Sequence, residues 1–291
     1  MMKTRRRAAP TLLILGLALA APAAAKDKPG RWEKAIARFE QRDRENPPAP
    51  GGNLFVGSSS IVGWRSLAKD FPSAHVLNRG FGGSQLSDVL DYYDRVVKVY
   101  KPARIFLYEG DNDVAAGKTP KRIATDFVTF CKRVHKDLPK TEVYFLTIKP
   151  SPSRWKMWPK MLEANRMIAG LARKKRWIHV LDVASPMLGK DGKPRREIFK
   201  GDKLHMNEKG YKLWAEVVRP HVKPDPQKAG QDKKEKDRKE KDRKDTEQDK
   251  KGDREQDKGG TDKGGTDKGG TDKGRTDRGK TDKEGAGKRG P

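Results

Sequence analysis

Cysteine is nearly absent from this chain of 291 residues, because Cys131 is the only one. A lone cysteine cannot close a disulfide within the chain, so no internal cross-link contributes to the fold. The apolar residues Phe127, Phe130 and Val134 stand near Cys131 at helical spacing, which favours a core side chain over a reactive thiol. The five histidines are scattered without metal-ligand spacing, so we predict no metal site.

A hydrophobic run long enough to span a membrane stably is also missing. The apolar stretch at residues 11–20 is too short for a stable span. It follows the basic residues 1–7 and precedes three alanines at 23–25, an order typical of a signal peptide cleaved before Lys26. We therefore predict that residues 1–25 are a signal peptide and that the mature protein is exported to the periplasm, the cell envelope or the medium.

Apolar side chains almost disappear after residue 225. From residue 226 to residue 291 the sequence consists almost entirely of charged residues, Gly, Thr and Gln, with two Pro and two Ala, and the pentad Gly-Gly-Thr-Asp-Lys recurs from Gly259 onwards. Such a segment cannot bury enough surface to offset the conformational entropy lost on folding. We predict a disordered charged tail over residues 226–291 that forms no wall of an active site.

Anionic residues are too few to balance the cations. The formal net charge of the whole chain is +26. The predicted tail, which has 22 cations and 17 anions, accounts for +5, and the four cations of the predicted signal peptide account for +4. The remaining +17 lies on residues 26–225. This excess predicts an anionic partner or substrate, such as a cell-surface polymer, an acidic glycan or lipid headgroups; the alternative is a charge that serves only solubility. No nucleic-acid-binding module is recognisable, so we expect no nucleic-acid partner.

The remaining residues have the pattern of one α/β domain. Residues 26–52 contain a helix marked by Trp32, Ile36 and Phe39, followed by a linker rich in Pro and Gly. Short apolar strands then alternate with amphipathic helices, which predicts right-handed crossovers and a parallel sheet covered on both faces over residues 53–225. The predicted strands are residues 54–56, 75–77, 104–108, 143–148 and 178–181, and the predicted helices are 61–69, 86–97, 120–136, 161–174 and 208–218.

Polar motifs follow several of these strands at their carboxyl ends, where open α/β sheets bind ligands. The first strand ends in Gly57 and the serines 58–60 at the start of a helix, whose free N–H groups favour negative charge. The sequence fits either a nucleophile with its own oxyanion donors or a simple helix cap. Later, Asp202 precedes His205 by three residues, a spacing that lets the carboxylate hold the imidazole, although a surface loop has the same pattern.

Together these motifs resemble the SGNH hydrolases, also called GDSL esterases and lipases, over about residues 53–220. The matching segments are Gly57-Ser58-Ser59, Asn78-Arg79-Gly80-Phe81-Gly82-Gly83, Gly110-Asp111-Asn112-Asp113 and Asp202-Lys203-Leu204-His205-Met206-Asn207. The resemblance implies a three-layer α/β/α sandwich with a mainly parallel, about five-stranded flavodoxin-like sheet. It implies a Ser59–His205–Asp202 triad, an oxyanion hole formed by Ser59, Gly83 and Asn112, and no cofactor. Ser58 replaces the aspartate usual in the first motif, which leaves three neighbouring serines as candidate nucleophiles.

The resemblance predicts a serine esterase that works through an acyl-enzyme, with an O-acetylated glycan as one substrate class, and the leader predicts that it is exported. Arg154 and Trp155 follow the fourth strand and are the predicted substrate-binding residues, although the tryptophan could equally belong to the core. The alternatives are a lysophospholipase-type lipid esterase and a catalytically idle basic domain that binds the cell wall.

Overall fold

A parallel sheet forms the centre of the described structure. The computed structural model describes residues 30–225 and position 238, so the predicted signal peptide and the rest of the predicted tail lie outside the described residues. In the described part, five strands pair in parallel in the order β2-β1-β3-β4-β5. They are β1 Asn53–Gly57, β2 Val76–Gly80, β3 Arg104–Tyr108, β4 Glu142–Leu146 and β5 Ile178–Leu181. The predicted five-stranded flavodoxin-like sheet is confirmed.

Helices cover both faces of this sheet. Those described are α1 Glu33–Glu45, α2 Ser59–Val62, α3 Leu67–Asp70, α4 Leu86–Asp91, α5 Tyr93–Val96, α6 Asp111–Ala115, α7 Pro120–Asp137, α8 Trp158–Ala172 and α9 Glu208–Val218. Short 3₁₀ turns lie at Lys98–Tyr100, Trp155–Met157, Ser185–Met187, Arg196–Ile198 and Arg219–His221. None of the helices in the described ranges is both long enough and apolar enough to cross a membrane.

Two apolar cores lie on opposite faces because successive strand side chains point to opposite sides. Leu54, Ile105 and Val143 belong to the core that includes buried residues of α1, α4, α5, α7 and α8. Phe55 and Phe106 belong to the other core, which includes buried residues of α9, and their rings stack at 4.5 Å across the two strands. This alternation produces the three-layer α/β/α sandwich.

The predicted helix over residues 61–69 is wrong, because the chain there forms the two short helices α2 and α3. The break between them places Trp64 in the core, where its Nε1 donates to Asp70 Oδ2 at 2.6 Å. Gly63 leaves room at the break for the Tyr211 hydroxyl, which would lie 2.5 Å from a Cβ on this residue. That hydroxyl donates to the Ser60 carbonyl at 3.0 Å and so joins α9 to α2.

The predicted helix over residues 86–97 is likewise divided, into α4 and α5, and a 3₁₀ turn follows it. The second strand extends beyond its predicted end at residue 77 and reaches Gly80. A Cβ at Gly80 would lie 2.6 Å from the Val62 backbone nitrogen, so the glycine lets α2 pack closely on the end of this strand.

The two ends of the described segment are both fastened to the sheet layer. Near the amino end, Ile36 and Phe39 of α1 are buried in the core. Near the carboxyl end, the Asn53 side chain accepts from the Lys223 N–H and donates to the Lys223 carbonyl, both at 2.8 Å. His75 also pairs with Asp225 at 2.6 Å. Packing therefore continues to residue 225, where the apolar sequence ends.

Candidate active site

A sharp corner between β1 and α2 presents Ser59. Gly57 has φ 143°, and a Cβ on it would lie 2.0 Å from the Tyr108 carbonyl oxygen, so only glycine fits. Ser58 continues in an extended conformation and α2 begins at the next residue. The half-buried Ser59 side chain therefore lies at the carboxyl edge of the sheet, beside the first N–H groups of a short helix.

The loop before α9 carries an imidazole to this corner. His205 Nε2 lies 3.0 Å from Ser59 Oγ, and His205 Nδ1 lies 2.6 Å from Asp202 Oδ2. Asp202 Oδ1 accepts the N–H groups of Leu204 and His205, each at 2.9 Å, in a loop where Lys203 adopts the left-handed φ of 57°. These contacts fix the ring so that Nδ1 carries the proton and Nε2 accepts from the serine.

Hydrogen bonding holds Asp202 in its ionised form. The hydrogen bond from His205 is the largest cause and the two backbone N–H groups add to it, so the pKa of Asp202 lies well below its usual range. This carboxylate is half-exposed, which makes hydrogen bonds rather than burial the source of the shift. An ionised carboxylate therefore faces the imidazole near neutral pH.

The two neighbouring serines have different environments from Ser59. Ser58 is fully buried, and its Oγ has no hydrogen-bond partner among the described residues. Ser60 is buried as well, and its side chain lies beside Tyr108. Of the three candidate nucleophiles, the structure brings Ser59 to the imidazole.

The three predicted oxyanion donors follow adjacent strands, Ser59 at the start of α2, Gly83 in a loop and Asn112 in α6. Ser59, Gly83 and Asn112 come after β1, β2 and β3, which are neighbours in the sheet. The Phe81 N–H donates to the Gly57 carbonyl at 2.9 Å and joins the first two loops. Gly83 needs its left-handed φ of 79° to turn the loop. Within residues 30–225, the N–H groups of Ser59 and Gly83 donate no hydrogen bond.

Both ends of the Asn112 amide have protein partners. Its Nδ2 donates to the Ser84 carbonyl at 2.9 Å, and its Oδ1 accepts from Arg154 Nη1 at 3.0 Å. Nδ2 carries two hydrogens, so one remains after the contact with Ser84. Arg154, predicted to bind substrate, thus contacts a predicted oxyanion residue.

Trp155, the other predicted substrate-binding residue, is half-buried and stacks on Trp158 with ring centroids 6.2 Å apart. Trp158 packs against the core, whereas Trp155 does not belong to that set. An apolar ring therefore follows Arg154 at the same edge of the sheet.

A buried acid that the motifs do not mark lies behind the oxyanion loop. Glu109 is fully buried, and its Oε1 accepts the Ser84 hydroxyl at 2.6 Å. Burial, reinforced by Asp113 and Asp111, raises the pKa of Glu109 well above its usual range despite that hydrogen bond. Burial therefore favours the neutral carboxylic acid, which accepts the Ser84 hydroxyl, and the Ser84 carbonyl in turn accepts from Asn112.

The amino-terminal segment also reaches the oxyanion loop, which the sequence patterns did not indicate. Trp32 Nε1 donates to the Gly82 carbonyl at 3.0 Å, and its ring packs edge-on against Phe81 at 5.9 Å. The exposed Arg31 stacks over Trp32 at 4.8 Å, and its guanidinium lies 3.2 Å from where a Cβ on Gly83 would be. No local signal could have found this pair, because its partners lie 50 residues away along the chain.

The structure offers no candidate metal centre in its described ranges, since no group of three or more His, Cys, Asp and Glu side chains there could hold an ion. What the site does contain is a hydroxyl, an imidazole and a carboxylate in hydrogen-bond contact, beside free N–H donors. That set can activate a nucleophile and stabilise a negative oxygen.

The chain belongs to the GDSL-like lipase/acylhydrolase family, whose model matches residues 51–213. The fold agrees with a solved structure from Streptococcus pneumonia assigned as a platelet activating factor, at 20% identity and TM-score 0.59, covering 65% of this chain and 92% of that one. It also agrees with a GDSL-like lipase from Bacteroides thetaiotaomicron, at 18% identity and TM-score 0.57, covering 64% and 96%. No curated protein matches the sequence significantly.

Membership in this family implies ester hydrolysis in general, in agreement with the predicted enzyme class. The structural neighbours are distant in sequence, so they extend the agreement to the fold and no further. The fold also agrees with a solved structure from Bacteroides fragilis that is assigned as an acylhydrolase. The two are 22% identical with a TM-score of 0.56, and the match covers 64% of this chain and 94% of the other.

Proposed function

We propose that this protein is an exported serine esterase that cleaves carboxylic esters through Ser59, His205 and Asp202. The observation that carries the proposal is the continuous contact from Ser59 Oγ to His205 Nε2 (3.0 Å) and from His205 Nδ1 to Asp202 Oδ2 (2.6 Å). Export rests on the leader-like residues 1–25, which lie outside the described part of the chain.

The contacts give each group its role. As Ser59 Oγ attacks the ester carbonyl, His205 Nε2 takes its proton, and Asp202 stabilises the imidazolium through Nδ1–H. The protonated imidazole then donates to the leaving alkoxide, which departs as an alcohol and leaves an acyl-serine. Water attacks this ester with His205 again as the base, and the acid product is released while Ser59 is regenerated.

The tetrahedral intermediates place a negative charge on the former carbonyl oxygen. The N–H groups of Ser59 and Gly83 and the second hydrogen of Asn112 Nδ2 are the proposed donors to that oxygen. Losing one such donor typically costs about 3 kcal/mol of transition-state stabilisation. All three donors come from this chain, so the proposed reaction uses no cofactor.

An O-acetylated glycan is the proposed substrate class. The half-buried Trp155 ring offers a flat apolar face to a sugar, and the exposed Arg31 beside the Gly83 loop adds a cation that suits an acidic glycan. A lysophospholipid ester, the alternative substrate, would share the preference for negative charge, so the assay below includes both.

An anionic cell-surface polymer is the proposed partner. Residues 173–176 read Arg-Lys-Lys-Arg between α8 and β5, all four are exposed, and within the described ranges none has an ion-pair partner. Lys132 and Lys136 on α7 are exposed cations without an ion pair in that same part of the chain. Their position near the amino ends of the strands leaves the catalytic edge open to substrate.

The first experiment measures hydrolysis of p-nitrophenyl acetate by the full mature chain. We expect turnover that Ser59→Ala abolishes, while Ser58→Ala and Ser60→Ala retain measurable activity. Phosphonate labelling followed by peptide mapping should modify Ser59. Turnover by Ser59→Ala at the wild-type rate would refute the assignment, and no turnover by the wild type would favour the idle cell-wall-binding alternative.

A second assay compares acetylated glycans with lysolipids under identical conditions. Release of acetate from glycans at a higher kcat/KM supports the glycan class. Faster release of fatty acid from lysophospholipids would replace it with the lipid class and leave the esterase mechanism intact.

A further inference from the structure

We propose that Arg154 is a positioning residue that fixes the orientation of the Asn112 amide, so that one hydrogen of Nδ2 is available to the oxyanion. This inference rests on the proposed esterase function. It replaces the expectation that Arg154 binds substrate directly, because its nearest polar partners in the described structure are Asn112 Oδ1, at 3.0 Å, and Asp111 Oδ2, at 3.4 Å.

The chemistry of the two contacts leaves Asn112 one acceptable orientation. A guanidinium has only donors, so it must face Oδ1, and the Ser84 carbonyl has only lone pairs, so it must face Nδ2. A flipped amide would set donor against donor and acceptor against acceptor. Without Arg154 only the Ser84 contact would remain to select the orientation.

Arg154 is itself held by a buried ion pair. Asp111 Oδ2 accepts from Lys149 Nζ at 3.0 Å, and the side chains of these two residues are only 5% and 1% exposed. Burial alone would raise the pKa of Asp111, but Lys149 and Arg154 outweigh it and the pKa lies below its usual value. Two cations against one carboxylate leave one net positive charge beside the amide.

This charge acts in the direction that catalysis needs. A cation at Oδ1 draws electron density toward that oxygen and makes the Nδ2 hydrogens better donors. An unformed or misdirected donor loses stabilisation that appears only when the oxyanion forms. The expected signature is therefore a lower kcat with KM little changed.

A double-mutant cycle separates positioning from substrate contact. Arg154→Met, Asn112→Ala and the double variant are assayed with p-nitrophenyl acetate, with Lys156→Met as the matched control: it removes an exposed cation two residues away. We expect Arg154→Met to lower kcat by about 100-fold, Lys156→Met to match the wild type, and Arg154→Met to add less than about a threefold loss once Asn112 is gone.

Two kinetic outcomes would overturn the inference. One is an equal fold-loss from Arg154→Met with and without Asn112, and the other is a raised KM with unchanged kcat, which is the mark of direct substrate binding. If Arg154→Met loses cooperative melting, Arg154→Lys is used instead, because it keeps a cation against Asp111 but lacks the planar fork that reaches Asn112 Oδ1 at the same time, and the same criteria apply.

A measurement without substrate distinguishes failure of this inference from failure of the proposed function. The side-chain ¹⁵N–¹H₂ resonances of Asn112, identified by their loss in Asn112→Ala, should exchange slowly with solvent in the wild type and in Lys156→Met, and at least tenfold faster in Arg154→Met. Unchanged exchange in Arg154→Met refutes the positioning role even if the enzyme is active. Faster exchange in a protein that hydrolyses no ester upholds the contact and refutes the function.

Discussion

Replacing Glu109 with glutamine should make the protein more resistant to alkaline conditions. Glu109 is fully buried, and burial raises the pKa of its carboxyl well above the ordinary glutamate value of 4.5. As pH rises above that value, the unfolded chain releases the proton while the folded protein retains it. The folded state then binds more protons than the unfolded state, so the free energy of unfolding falls with pH until the folded carboxyl ionises.

The size of this loss in stability follows from the release of one proton per molecule on unfolding. Each pH unit in that window costs about 1.4 kcal/mol of stability, which for a domain of this size is roughly 3–5 °C in Tm. Glutamine has no proton to release, so this slope disappears in Glu109→Gln. The glutamine oxygen can still accept the Ser84 hydroxyl, and any cost from its amide nitrogen is a constant offset at all pH values.

The assay is a series of Tm measurements on wild type and Glu109→Gln from pH 5 upward. With each increase in pH, the Tm of Glu109→Gln should rise further relative to the Tm of the wild type. The control is Glu216→Gln on α9, where an exposed glutamate is replaced and the difference should stay flat. If Tm changed with pH by the same amount in wild type and in Glu109→Gln, Glu109 would ionise normally in the folded protein and the reasoning would be refuted.

Three further changes have equally definite outcomes. Asp202→Asn should lower kcat by about 10⁴-fold with little change in Tm, because the imidazole loses its proton-orienting partner; a loss below tenfold would contradict the role. Trp32→Ala should lower kcat by roughly tenfold by loosening the Gly82 loop, and unchanged kinetics would separate the amino-terminal segment from catalysis. Truncation after Asp225 should leave kcat, KM and Tm nearly unchanged but weaken salt-sensitive pull-down by cell-wall material; a large loss of activity would contradict the predicted tail boundary.

Local pattern determines much of this protein. Alternating apolar strands and amphipathic helices predict the parallel sheet, and the helix over Glu208–Val218 begins and ends where the sequence indicates. The contact between Asp202 and His205 is also a local property, since the two residues are three positions apart. These features depend on neighbours in the chain, whose spacing the sequence specifies directly.

The positions at which helices break are harder to predict from the local sequence pattern. The interruption after α2 exists because Trp64 turns into the core and Tyr211, far away along the chain, occupies the space that a side chain on Gly63 would need. Helical spacing of apolar residues does not reveal that requirement. A continuous helix is therefore predicted where tertiary packing imposes two.

The chemistry of the site divides in the same way. Sequence alone supplies Ser59, Asn112 and His205 as candidates, but only the fold brings the serine to a histidine 146 residues away and turns Arg154 toward the asparagine. Only the fold also removes water from Glu109 and so raises the pKa of its carboxyl. The identity of a side chain fixes what it can donate or accept, whereas its burial and its distant partners decide which of those properties it uses.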